Sequence, residues 1–169
     1  NRMEAERAIR TRRSIRVFKD ESINSEDIDA ILEAGRWAPS GLNNQPWKLV
    51  IIKDREKARE ISSYTHYQMI VESAPFLIAV FLDNDISYDR DKDIMAIGAF
   101  IQNVLLAVHA RGLGAVWLGE ILNQRDKVRE ALQVPETKEL MAVIAVGRPG
   151  EQPEEKPRTP LNDLILHRF

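Results

Sequence analysis

Cysteine is absent from this 169-residue chain, which removes disulfides, thiolate zinc sites and a thiol nucleophile together. Histidine is scarce. The three present, His66, His109 and His167, stand far apart without partners at metal-ligand spacing, so no zinc or iron centre is expected. Neither sign of charge is in excess: 24 Lys and Arg against 26 Asp and Glu give a formal net charge of -2. That balance argues against a nucleic-acid binder working by bulk phosphate neutralisation. Long hydrophobic runs are missing too. The longest, 76–82 and 141–146, are strand-sized, and no charged leader precedes an apolar signal core. The expectation is a soluble, cytoplasmic protein with no membrane span.

Catalytic side-chain sets are equally hard to find. Ser14 and Ser40 have no histidine and acid in serviceable positions, and there is no Gly-x-Ser-x-Gly elbow. Gly112-Leu113-Gly114, with Gly119 nearby, follows a helical pattern instead of a strand and has the wrong spacing for a dinucleotide fingerprint. Asp83, Asp85, Asp89, Asp91 and Asp93 lack the glycine and terminal glutamate of a calcium loop, so residues 83–93 read as a short, solvated, mobile acidic loop. With acid, base, nucleophile and metal all missing, any hard chemistry must come from a bound cofactor.

The chain fits one domain in which helical and strand patterns alternate. Helices are expected over 4–13, from a cap at Ser25 to a stop at Pro39, and over 55–63, 94–111 and 125–132; strands over 49–52, 76–82, 115–118 and 140–146. The 94–111 helix is apolar nearly all round and therefore central. After Gly147 the composition turns proline-rich and charged, then apolar again at Leu161, Leu164, Ile165 and Leu166. A domain this small has little left for such an arm to cover, which points to a partner subunit.

Two segments concentrate binding chemistry. Arg12-Arg13-Ser14-Ile15-Arg16 sets three guanidiniums and a hydroxyl side by side. Guanidiniums stay charged and grip phosphate oxygens through paired hydrogen bonds, so the cluster either faces water or holds an anion. Residues 38–47, Ala-Pro-Ser-Gly-Leu-Asn-Asn-Gln-Pro-Trp, gather amides and a hydroxyl between two prolines. Asn and Gln present donor and acceptor together, as the edge of a flavin or nucleobase requires, although self-capping amides of a structural loop use the same residues.

These two segments, the run Gly112-Leu113-Gly114-Ala115-Val116-Trp117-Leu118-Gly119, and the tail Lys156-Pro157-Arg158 before Pro160-Leu161 occur in an order that resembles the flavin-dependent nitroreductase family. The resemblance implies an α+β fold: a three-layer α-β-α sandwich around a mixed, mainly antiparallel sheet. It also implies an intertwined homodimer with FMN at the subunit interface, residues 151–169 forming an arm that packs on the partner. Arg12, Ser14, Lys156 and Arg158 would hold the FMN phosphate and ribityl chain, with Arg13 nearby and Arg16 at the N1–O2 side of the ring. Pro39, Ser40, Gly41 and Asn43 would come from the other subunit. The backbone of Leu118, Gly119 and Glu120, beside Trp117, would face the N5–O4 edge, with Gln68 or His66 adding a contact. Glycines would flank that strand because backbone must approach the ring.

The implied activity is ping-pong transfer of hydride from NAD(P)H, through the flavin, to nitroaromatics, quinones or similar flat acceptors. The segments 64–68 and 83–93, where relatives place substrate lids, are short here and offer no trio to grip an amino-acid zwitterion. Iodotyrosine deiodination and flavin destruction are therefore less supported than broad reduction. A flavin-sequestering protein without turnover is the rival from another class.

Overall fold

The computed structural model describes residues 3–169. Its frame is a four-stranded sheet in the order β1-β2-β4-β3, formed by β1 (Trp47–Ile52), β2 (Phe76–Asp83), β3 (Gly114–Leu118) and β4 (Lys138–Gly147). All three ladders are antiparallel. The parallel component of the expected mixed sheet comes down, among the described residues, to one bridge between Ser14 and Ala115.

Both faces of the sheet are covered, and strand alternation divides the core accordingly. Phe76, Ile78, Val80 and Leu82 of β2 pack toward α2 (Ser25–Arg36) and α5 (Arg90–Ala110). Leu77, Ala79 and Phe81 point the other way, toward α3 (Arg55–Ser62), α4 (Gln68–Ser73) and α6 (Arg125–Ala131). Every residue of β2 is buried, as a continuous apolar strand between two helical layers must be. Helix α5 is apolar and long enough to span a bilayer. Here it packs against α2 and the sheet, so close to α2 that a Cβ on Gly35 would stand 2.7 Å from the Phe100 ring.

Several boundaries differ from expectation for local reasons. The first helix, α1 (Ala5–Thr11), stops short of the arginine run. Asn24, not Ser25, caps α2, accepting the Asp27 N–H at 2.8 Å. The same helix ends at Arg36, before Pro39 is reached. The strand expected at 49–52 begins at Trp47, and α4 has no counterpart in the sequence reading.

The largest correction concerns residues 83–93. Asp83 and Asp93 are 4 % and 1 % exposed, and α5 begins at Arg90, with Asp89 accepting the Lys92 N–H. Asp83 is paired to Lys138 at 2.8 Å. This segment is anchored at both ends and is not a freely solvated loop.

Candidate functional site

Extended backbone places the arginine run. Ile15 and Phe18 are buried, Arg16 and Val17 between them are exposed, and Arg12, Arg13 and Ser14 before them are partly buried. The Ile15 N–H donates to the Ala115 carbonyl at 3.0 Å, and farther on Gly150 N–H donates to Val17 O at 2.8 Å. Residues 14–18 thus lie between the edge of β3 and the start of the C-terminal arm. The Arg16 N–H donates to the Glu151 carboxylate at 2.8 Å, tying the run to the arm.

That arrangement brings the two ends of the chain together. Arg12, Arg13, Ser14 and Arg16 line a cavity of about 580 Å³ with Lys156 and Arg158. Arg10 adds a further cation, while the acids on its wall are Glu154 and Glu155. The contact from Arg13 to Glu155 is 3.4 Å, on a carboxylate 81 % exposed, and such surface pairs neutralise little. Arg12 carries the imbalance: burial first, then Arg158 and Arg13, hold its pKa below the ordinary arginine value. A phosphate dianion seated here would relieve that repulsion through charge-assisted bonds. His109 lies on the same flank, its Nε2 2.7 Å from Thr11 Oγ1. Burial, followed by Arg12, Arg13 and Arg7, pushes its pKa down.

The amide-rich segment stands apart from this cavity's lining. Pro39 and Ser40 lead into a short 3₁₀ turn, Gly41–Asn43, and three non-glycine residues adopt left-handed backbone: Leu42 (φ 54), Asn43 (φ 53) and Gln45 (φ 49). Each such residue costs roughly 1–3 kcal/mol unless surroundings impose it. The Ser40 hydroxyl accepts the Gln45 N–H at 3.0 Å. A Cβ on Gly41 would collide with the Tyr88 hydroxyl, so a larger residue there would have to displace that side chain. Asn44 donates to Asp93 Oδ1 at 2.7 Å, while its own Oδ1 is buried without a partner. An unmade buried hydrogen bond costs about 1–3 kcal/mol.

At the far end of β3, Trp117 is 44 % exposed, Leu118 is buried, and the chain turns at Gly119. A Cβ on Gly119 would meet nothing within 4 Å, and its φ of -109° is open to any residue. Neither conformation nor neighbours in this chain demand glycine, which leaves an open backbone surface for a flat ligand. Gly114 has a different reason: its missing Cβ makes room for Ile15, whose side chain would lie 2.6 Å away. The expectation that glycines at both ends of β3 serve one ligand is therefore corrected at Gly114, which serves internal packing.

Glu120 follows, but its carboxylate is committed. It accepts from Thr65 Oγ1 at 2.5 Å and from the His66 N–H at 3.1 Å, and the Thr65 bond first among several holds its pKa down. Gln68 and His66 are exposed beside this junction. Thr65 and Asp93 were not singled out by sequence as site-shaping residues; their partners lie 55 and 49 positions away, so no local spacing could reveal them. Among the described residues no cluster of three or more His, Asp or Glu is placed to hold a metal.

Comparison with known proteins follows the same outline. The Nitroreductase family profile matches residues 9–80 and 62–148. An Archaeoglobus fulgidus protein, provisionally named NADH dehydrogenase/NAD(P)H nitroreductase, is 36 % identical over 147 residues, covering 85 % of this chain and 84 % of that one. A crystal structure of a nitroreductase-type protein from Desulfovibrio desulfuricans in complex with FMN superposes with TM-score 0.91 at 46 % identity, covering 96 % of this chain and 95 % of the other. The NADPH:FMN oxidoreductase of Vibrio harveyi, solved with NAD+, gives TM-score 0.88 at 28 % identity over 96 % and 76 % of the two chains. On the profile match and these relatives together, the chain belongs to the nitroreductase family.

Proposed function

We propose that this protein is an FMN-dependent NAD(P)H oxidoreductase that reduces nitroaromatics, quinones or similar flat acceptors in a ping-pong cycle, working as a homodimer. The observation that carries the reading is the cavity uniting Arg12, Arg13, Ser14 and Arg16 with Lys156 and Arg158, an under-neutralised cation set of the kind a phosphate monoester fits. The open backbone at Gly119 fits the ring. Bound there, FMN supplies two-electron chemistry, accepting hydride from NAD(P)H and releasing it to the acceptor.

Each residue then has a task. Arg12, Ser14, Lys156 and Arg158 anchor the phosphate and ribityl chain. Arg16, with its side chain exposed, places positive charge where the reduced ring is negative, a preorganised electrostatic stabilisation. Pro39, Ser40, Gly41 and Asn43 act on the cofactor held by the partner subunit, which accounts for their separation from the cation cavity. Leu161, Leu164, Leu166 and Phe169 are exposed by 64 % or more, and a second copy would bury them.

Absorbance of the purified protein tests the proposal. Yellow protein, bleached anaerobically by NAD(P)H and recoloured by a nitroaromatic, is the expected result. No flavin bound even after FMN is added overturns the cofactor assignment, and flavin that stays oxidised with NAD(P)H indicates sequestration instead of turnover.

A further inference from the structure

Asp93 is buried in the first turn of α5, yet all its hydrogen-bond partners are uncharged: Asn44 Nδ2, the Ser87 hydroxyl, and the N–H groups of Tyr88 and Asp89. A buried carboxylate is costly unless its oxygens are fully engaged. Here the two oxygens divide the work. Oδ2 takes Ser87, Tyr88 and Asp89 and so fixes the turn leading into α5, whereas Oδ1 takes Asn44.

Asn44 is the side-chain tether of a strained loop whose far end is also held by the Asp83 N–H donating to Pro46 O at 2.8 Å. The remaining hydrogen bonds among residues 40–45 close within it: Asn43 N–H to Ser40 O, Asn44 N–H to Gly41 O, Gln45 N–H to Ser40 Oγ and Gln45 Nε2 to Asn43 O. Outside the loop, the Asn44 amide reaches Asp93 at 2.7 Å and, at 3.5 Å, the Ile86 carbonyl. Because a carboxylate only accepts, Asp93 also dictates which way the Asn44 amide points, and thereby leaves Asn44 Oδ1 buried and unpaired. The Tyr88 turn that Oδ2 holds presses its hydroxyl against Gly41.

We propose that Asp93 is a positioning residue: through Asn44 on one oxygen and the Tyr88 turn on the other, it holds the 39–47 loop in the left-handed shape that presents Ser40, Gly41 and Asn43 to FMN. The proposal rests on the FMN reading above. It assigns a role in cofactor affinity to a side chain that touches no cofactor.

The test is FMN titration of the flavin-stripped full-length protein, followed by flavin fluorescence, with thermal melting of each variant alongside. Asn44→Ala is expected to weaken FMN binding about tenfold or more, Asp93→Ala at least as much, and the double variant no further than Asp93→Ala, since that substitution already removes the Asn44 tether. Ser87→Ala removes one of the three bonds to Oδ2 while leaving the Asn44 bond in place, so it is expected to weaken FMN binding less than Asn44→Ala does. Should Asp93→Ala fail to fold, the contrast between Asn44→Ala and Ser87→Ala decides. Wild-type FMN affinity in Asn44→Ala, with only its melting temperature lowered, overturns the proposal while Arg12→Ala, losing FMN, upholds the cofactor reading. Additive losses in the double variant, or equal losses in Ser87→Ala and Asn44→Ala, also overturn it. Wild-type protein that binds no FMN overturns both.

Discussion

The arginine cavity and the amide loop approach the same proposed cofactor with opposite physics. The cavity gathers long, partly exposed cations from both ends of the chain, and their mutual repulsion awaits an anion. The loop is strained in advance: its left-handed residues are held by hydrogen bonds within residues 40–45 and by the Asn44 bond to a buried carboxylate. The first region recognises charge and is open to screening by salt. The second recognises shape and is not. If both regions bind the cofactor as proposed, its affinity has an electrostatic half and a preorganised half, separable by experiment.

Deleting residues 151–169 breaks the comparison most severely, because it removes Lys156 and Arg158 together with the exposed apolar arm. FMN retention should fall by about a hundredfold or more and gel filtration should show monomer or aggregate; a stable, fully active dimer contradicts the assigned role of the arm. Arg12→Ala attacks the electrostatic half alone. Loss of a charge-assisted bond worth about 1.5–3 kcal/mol should raise the FMN dissociation constant by about 10- to 150-fold, with a shallower dependence on salt, and unchanged affinity refutes the clamp.

The glycines at the two ends of β3 sharpen the distinction. A Cβ at Gly119 meets no neighbour in the chain, so Gly119→Ala should leave the urea midpoint close to wild type while weakening FMN about tenfold. Gly114→Ala drives a methyl into Ile15 and should cost about 1–3 kcal/mol of stability, visible in the same denaturation series. Equal behaviour of the two variants would show that one cause underlies both glycines.

The smallest effect is protonic. Because burial and Arg12 depress the His109 pKa, the unfolded chain binds more protons than the native one as pH falls below the ordinary histidine value of about 6.5. The contribution is fully present above that value and is lost as pH falls through the depressed native one. Urea midpoints measured from pH 7.5 to 5.5 should therefore decline, and less so in His109→Gln.

Much of this was written locally in the chain. The 76–82 run announces a strand covered on both faces because every position is apolar, and the arginine run, whose guanidiniums cannot discharge, reads alone as either a solvated face or an anion site. Even the distant Lys156 and Arg158 were legible through family resemblance. Other features were not. Helix α4 is six residues long and its N-cap, Tyr67, makes no side-chain capping bond, so it carries no start signal. Asp93 reads as solvated because acidic segments normally are; its carboxylate is engaged in part by an asparagine 49 positions away, a relation no short window of sequence contains. Gly114 and Gly119 look alike in the chain, and only the position of Ile15 separates them.

The single bridge between Ser14 and Ala115 turns β3 into a spacer. From Ala115 to Gly119 is four residues of nearly extended chain, roughly 13 Å at the usual rise per residue. The hydroxyl at the proposed phosphate end and the bare backbone at the proposed ring end are thus set apart by covalent geometry, which on that proposal makes the length of an acceptable ligand a property of the sheet edge itself.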